Sequence, residues 1–448
     1  MFNSKHKYML FIFIFIMIIG YVGKAHAEDF KEKNSLTFSS LESLGPTISE
    51  EEYYDYIRVS ILNQPEYAYA LSNMSEKNML LKFEKRHRLP SLDLRVINDK
   101  IIDRDVDDLT SIRKRQDDSF DVVVEVNQPI YTGGSINSRI KIARADFTLS
   151  KIERDSAFST LILDANKIYL SAVKSDVLYN YGDDLLNTLR PYLEKVKDRV
   201  RLGISDPIEL AIFSIKFNNL SSTVQRLRTL RQQDVGIFEY FFETRFENKF
   251  FPKVFVPDIN LDQRSSYEVK QSELSYESSK GNIGLIRSDY LPKLGFTTRY
   301  TNYDVDDSEK SDTDIRGGIY FSVPIFSFGR GSAKISSAKA KANAVKMNID
   351  IARKVDDVRE NELVNMVSSS LNTRNEYLNS YLDTKEQRKI IIDRLDVVNF
   401  STDALVNSFI EELSLLQTLL DTEINLIHGY FMYLHQNKVL NSYVGIQP

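Results

Sequence analysis

A phrase that occurs twice constrains this chain more than any other feature. Pro129-Ile130-Tyr131-Thr132-Gly133-Gly134 returns as Pro324-Ile325-Phe326-Ser327-Phe328-Gly329, at an offset of 195 residues. The match continues through Ile140, Ala143 and Ala145 against Ile335, Ala338 and Ala340. Upstream, Leu89-Pro90-Ser91-Leu92 has its counterpart in Leu291-Pro292-Lys293-Leu294. A solenoid unit would repeat every 20–50 residues or so, far less than this. The pattern reads as an internal duplication in which each half supplies the same elements.

Between each lead-in and exit the hydrophobic period is two. Phe120, Val122, Val124 and Val126 alternate with Asp121, Glu125 and Asn127, with Val123 among the polar set. Ile315, Ile319, Phe321 and Val323 alternate with Asp314, Arg316, Tyr320 and Ser322. Such alternation predicts strands with one apolar face, each with an upstream partner at Leu92–Lys100 and Leu294–Tyr303. Their length, roughly 10 residues, suits a tilted membrane-crossing strand. The connectors, Asp103–Asp118 and Asp304–Asp312, are rich in charge and read as solvated outer loops.

Outside the strands the period becomes helical. Ile136, Ile140, Ala143 and Phe147, then Phe158, Leu161, Ala165, Ile168 and Ala172, recur at spacings of three and four, as in a coiled-coil seam. Gly134–Arg201 would span about 100 Å as one helix. The expected plan is a first repeat over 28–249, with a strand pair near 91–131 and a helical hairpin near 134–247. A linker follows at 250–260, carrying Pro252 and Pro257. The second repeat covers 261–448, with a strand pair near 293–326 and a hairpin near 333–438.

The N-terminus points to export. Lys5 and Lys7 precede the apolar run Met9–Tyr21, and Ala25-His26-Ala27 follows as a small-x-small cleavage site, so residues 1–27 read as a secretory signal peptide. Their removal takes three lysines and no acids from 58 basic and 63 acidic residues, leaving a net charge of −8. That balance excludes nucleic acid, which needs a basic footprint. The chain has no cysteine, hence no disulfides and no lipoprotein anchor. The remainder has no second long apolar run, and the other way to span a membrane is a closed β-barrel.

No catalytic, cofactor or metal constellation is expected. His428 and His435 stand seven residues apart, two helical turns, too far to share a metal without further ligands. Gly329-Arg330-Gly331-Ser332-Ala333-Lys334 lacks the spacing of a phosphate-binding loop and reads as a strand-to-helix turn.

The duplicated Leu-Pro-x-Leu lead-ins and Pro-Ile-aromatic exits, in register behind a signal peptide, make the chain resemble the TolC-type outer-membrane efflux proteins over nearly its whole mature length. The resemblance implies a mainly α chain with four barrel strands, three copies closing a 12-stranded barrel continued by a long periplasmic α-barrel. It implies a passive, non-enzymatic exit duct in the outer membrane of a Gram-negative cell, serving efflux or type I secretion. Its partners would be two further copies, outer-membrane lipid, a periplasmic adaptor and an inner-membrane ABC or proton-driven transporter. Asp121, Glu125, Asn127, Asp314 and Arg316 would line the pore. The adaptor-docking tip would comprise Arg201, Leu202 and Gly203 at one helix turn, with Ile410 and Glu411 at the other, where Glu411 replaces the expected glycine. The family's gate carboxylates would map to Gln417 and Leu420, neither acidic, with Asp421 one residue away and Glu209 matching an acidic position on the other hairpin, so Glu209, Gln417 and Asp421 are the gate candidates. The competing reading is a periplasmic coiled-coil scaffold or adaptor without a barrel.

Overall fold

The computed structural model describes residues 46–100, 102, 118–247, 249–256, 265–306, 312–394 and 402–446. The signal-peptide expectation, nearly all of the Asp103–Asp118 connector, most of Asp304–Asp312 and the end of the 250–260 linker lie outside these residues. In chain order the elements are β1 (Thr47–Ile48), α1 (Glu50–Leu62), α2 (Pro65–Arg86), β2 (Ser91–Lys100), β3 (Asp118–Thr132), α3 (Ser135–Arg201) and α4 (Pro207–Phe242). They continue with β4 (Phe251–Pro252), α5 (Tyr267–Ser288), β5 (Lys293–Tyr303), β6 (Asp312–Ser322), α6 (Arg330–Arg394), α7 (Thr402–Gln436) and α8 (Leu440–Val444).

The chain forms two compact units. One comprises Pro65–Ala157 and Ser265–Asp357; the other comprises Met1–Gln64, Phe158–Arg264 and Val358–Pro448. The first holds an antiparallel sheet of order β2-β3-β5-β6. Register follows the alternation: Leu94 faces Val124, Val124 faces Tyr300, and Tyr300 faces Ile315. A bulge between Pro129 and Tyr131 marks the end of β3, where proline cannot donate to a ladder. Gly295 lies opposite Tyr320, whose ring occupies the space that a side chain at Gly295 would need.

Local chemistry sets the helix ends. Ser49 caps α1 by accepting from the Glu52 amide at 3.2 Å, and Ser266 caps α5 by accepting from Val269 at 3.4 Å. Pro65 starts α2 and separates it from α1. The second unit is helical around α7. There Leu405, Phe409, Leu413, Leu416, Leu420, Ile427 and Phe431 are buried at spacings of three, four and seven. An aromatic cluster joins α1, α3 and α4: Tyr53 meets Tyr169 at 5.0 Å between ring centroids, and Phe238 stacks on Phe242 at 4.5 Å.

One expected boundary is wrong. The second helix turn is expected at Ile410 and Glu411, yet these residues lie inside α7, which begins at Thr402. The apolar repeat from Leu405 through Leu416 runs without interruption, so burial keeps that segment helical. Ile410 and Glu411 therefore sit within α7, beyond its first residue Thr402.

Gly133, between β3 and α3, has φ +65°, and an added Cβ would lie 2.7 Å from the Ser288 carbonyl oxygen and 2.9 Å from Leu291 Cβ. Both the conformation and the close backbone exclude a side chain. Gly133→Ala is expected to destabilise this unit by about 1–3 kcal/mol, read as a lowered unfolding midpoint in detergent. Gly134→Ala also meets a positive φ but open space, and should cost less.

Candidate functional site

The sheet has two chemically distinct faces. Ladder pairing aligns Asp93, Glu125, Arg299 and Arg316 across all four strands, and Arg95, Val123, Thr301 and Asp314 in the neighbouring row. All five expected pore residues, Asp121, Glu125, Asn127, Asp314 and Arg316, share this polar face by register. Arg299 donates to Glu125 at 2.9 Å through Nη2, and Arg316 pairs with Asp314. The Asp304 amide donates to Asp121 at 3.3 Å. Asp93, Arg95 and Arg299 were missed as members of the face. Asp93 and Arg95 were legible as the residues between Leu92, Leu94 and Val96.

The opposite face is apolar and open. Leu92, Leu94 and Val96 on β2 are 71%, 68% and 54% exposed, and Ile315, Ile319 and Phe321 on β6 are 73%, 71% and 67% exposed. These two strands are the outer strands of the sheet. A long apolar edge strand of this kind is a template for pairing with another chain. Among the described residues no helix is long and apolar enough to cross a membrane.

In the helical unit, the turn after α3 is closed by a glycine. Gly203 has φ 72°, its amide donates to Val200 O at 3.0 Å, and the Ile204 amide donates to Arg199 O at 2.8 Å. That pair of bonds is a Schellman C-cap, which favours glycine. Asp206 then caps α4 by accepting from the Ile208 amide at 2.8 Å, with Pro207 in the first turn. Around the turn Leu202, Ile204 and Ile208 are 65–68% exposed, and Arg201 pairs with Asp198 at 3.1 Å. Glu209 accepts from Thr402 Oγ1 at 2.7 Å, so the starts of α4 and α7 are brought together. Lys216 reinforces the contact through Asp403 and Asn407. Ile410, Glu411 and Gln417 lie further along α7, with Glu411 and Gln417 exposed. Asp421 pairs with Lys174 of α3 at 2.9 Å.

Two buried carboxylates on α7 were not anticipated. Glu412 is fully buried and holds Arg388 of α6 and the Tyr181 hydroxyl of α3; the Tyr381 hydroxyl donates to Tyr181 at 3.1 Å. Glu423, also fully buried, accepts from Arg374 Nε at 2.5 Å. Burial pushes the Tyr181 and Tyr381 phenols above their ordinary pKa, and both stay protonated donors. Burial disfavours the Arg388 cation, yet bonding and attraction from Glu412 leave its pKa raised. The signal in the sequence is their position. Glu412 and Glu423 interrupt an apolar seam three turns apart, where an unpaired carboxylate would be costly. His428 contacts Asn166 at 3.2 Å, with its pKa lowered by burial and then by Lys167, while His435 contacts Ser159 at 2.7 Å.

No protein-family profile and no curated protein matches the sequence. Solved structures do match. The Campylobacter jejuni CmeC outer membrane channel superposes with a TM-score of 0.74 at 13% identity, covering 87% of this chain and 86% of that one. This chain has the fold of an outer-membrane channel. The Neisseria gonorrhoeae MtrE outer membrane channel, in its open state, gives a TM-score of 0.71 at 14% identity over 87% and 89% of the two chains. The Vibrio cholerae outer membrane protein VceC gives 0.66 at 12% identity over 85% and 96%. The mainly helical chain with a few strands that the resemblance implies agrees with this fold.

Within that fold the buried pairs make two predictions. Glu423→Leu alone removes the buried carboxylate to which Arg374 Nε donates and should cost about 3–5 kcal/mol, whereas Glu423→Leu with Arg374→Met should recover most of the loss. Urea unfolding in detergent measures both. His428 has a depressed folded pKa, so its contribution to stability is intact above its unfolded value of 6.5 and is lost as the pH falls from there through the folded pKa. His428→Gln should flatten that acidic limb of the stability curve, and an unchanged limb would assign it to other groups.

Proposed function

We propose that the chain is the outer-membrane channel subunit of a tripartite efflux or type I secretion system, a passive duct from periplasm to exterior. The observation that carries this is the open four-stranded sheet, apolar on one face and polar on the other, ending in exposed strands on both sides. Four strands cannot close a barrel, and lipid does not tolerate open edges. Three copies supply twelve strands, an even number within the range of bacterial outer-membrane barrels. In the trimer β2 of one copy pairs with β6 of the next. Leu92, Leu94, Ile315 and Phe321 then face lipid, and the row of Asp93, Glu125, Arg299 and Arg316 faces water.

The recurrent element order, α2-β2-β3-α3-α4 and then α5-β5-β6-α6-α7, supports two duplicated repeats, residues 28–249 and 261–448, joined at 250–260. The long helices extend into the periplasm as an α-barrel. The Gly203 turn, with its exposed Leu202, Ile204 and Ile208, is the docking point for a periplasmic adaptor, which links the duct to an inner-membrane transporter that supplies the energy. Glu209 and Asp421 remain the acidic candidates for a gate. Ile410, Glu411 and Gln417 are carried on the wall of α7, away from the turn.

Fractionation tests the reading. A heat-modifiable trimer in the outer membrane supports the duct, and a soluble periplasmic monomer would instead establish the scaffold reading. Val124→Arg, on the apolar face of a central strand, should lose about 2–4 kcal/mol of insertion free energy and deplete the membrane trimer. Asn127→Arg, on the polar face, should leave trimer yield unchanged; equal loss in both would contradict the two-faced sheet. At Gly203 an added Cβ meets no neighbouring atom within 4 Å, though its φ of +72° strains any side chain locally, so Gly203→Trp should reduce transport by tenfold or more while the trimer persists. Unchanged transport would remove the docking assignment.

A further inference from the structure

Basic residues concentrate where the helices join the sheet. Ser91 pairs with Asn127, Thr132 with Lys293 and Lys293 with Ser322, so one end of the sheet receives α2, α3, α5 and α6. From its start α3 carries Arg139, Lys141 and Arg144 before its first acid, Asp146. From its start α6 carries Arg330, Lys334, Lys339, Lys341 and Lys346 before its first acid, Asp350. These eight side chains are exposed. The last turn of α2 adds Lys85 and Arg86, and that of α5 adds Arg287. A chain with more acids than bases overall has gathered its cations at one level.

Part of this belt is a formed groove. Gly281 and Gly284 of α5 let α3 approach so closely that added Cβ atoms would lie 2.7 Å from Ile142 Cγ1 and 2.6 Å from Ser138 Oγ. Between the two helices a groove of about 520 Å³ is lined by Lys141, Arg144 and Lys280, with Ser138 and Thr148 as hydroxyls. Glu277 is its one acid and pairs with Lys280. Among the described residues no carboxylate pairs with Lys141 or Arg144.

We infer that this groove binds the phosphate of anionic phospholipids in the periplasmic leaflet. The inference rests on the barrel reading, which puts the start of α3 at the membrane surface. Ser138–Arg144 lie roughly 5–15 Å along the helix from its first residues, and the headgroup layer is about 5–7 Å deep on each side. Long basic side chains reach across the difference. An anionic leaflet attracts such residues individually, and a groove lined by Lys141, Arg144 and Lys280 gathers one phosphate.

Native mass spectrometry of the full-chain trimer in neutral detergent tests this, with phosphatidylglycerol, phosphatidylcholine or inorganic phosphate added separately. The expected result is retention of phosphatidylglycerol alone. Lys141→Gln/Arg144→Gln/Lys280→Gln should weaken that retention at least tenfold, and Arg190→Gln/Lys195→Gln/Lys197→Gln, further along α3, should not. Equal retention of phosphatidylcholine, or no change in the groove variant, would overturn the inference. Competition by millimolar inorganic phosphate would reassign the groove to free phosphate. Loss of trimer in the groove variant would reassign it to contact between copies. A wild-type chain that forms no membrane trimer would sink the channel reading itself, a separate result from any of these.

Discussion

The unsatisfied edges of one sheet govern the rest of this molecule. β2 and β6 each pair on one side only, among the described residues, and each turns an apolar row outward. Backbone groups left without partners are expensive in lipid and hazardous in water. On the proposed reading, closure by further copies would satisfy the edge hydrogen bonds and the apolar face in one step. The alternation that makes this possible is clearest in two adjacent rows. Leu94, Val124, Tyr300 and Ile315 fall in one row, and Asp93, Glu125, Arg299 and Arg316 in the adjacent one, so one register error would reverse every side chain.

The helical unit solves a different problem. α7 is apolar enough to be a core, yet it includes Glu412 and Glu423, both fully buried. Each carboxylate is matched by an arginine of α6, Arg388 and Arg374. Such pairs contribute little net stability compared with apolar packing, and removing one member is costly. Both pairs tie α6 to α7. Tyr181 extends the Glu412 pair to α3, and Glu209 joins the start of α4 to that of α7.

Much of this was legible in the sequence, because the signals were local. Val122, Val124 and Val126 specify a strand face by period alone, and the doubled Pro-Ile-aromatic phrase places both strand exits. Gly203 and Asp206-Pro207 mark the first helix turn by conformation and capping. The second turn was misplaced because resemblance set it over Ile410 and Glu411, whereas Leu405, Phe409, Leu413 and Leu416 form one unbroken helical stripe. The partners of Glu412 and Glu423 lie 24 and 49 residues away, and no local pattern connects them. The belt of lysines and arginines was visible as composition, but its meaning depends on all four helix ends meeting one end of the sheet.

Closure of the sheet between copies can be measured directly, since the chain contains no native cysteine. One cysteine placed in β2 at Leu94 and one in β6 at Ile315, joined by a short bifunctional thiol reagent in intact cells, would report which edges meet. The account predicts a covalent ladder of one, two and three copies that stops at three and that neither single-cysteine variant produces. Crosslinks confined within single chains, or a ladder that continues past three, would contradict it.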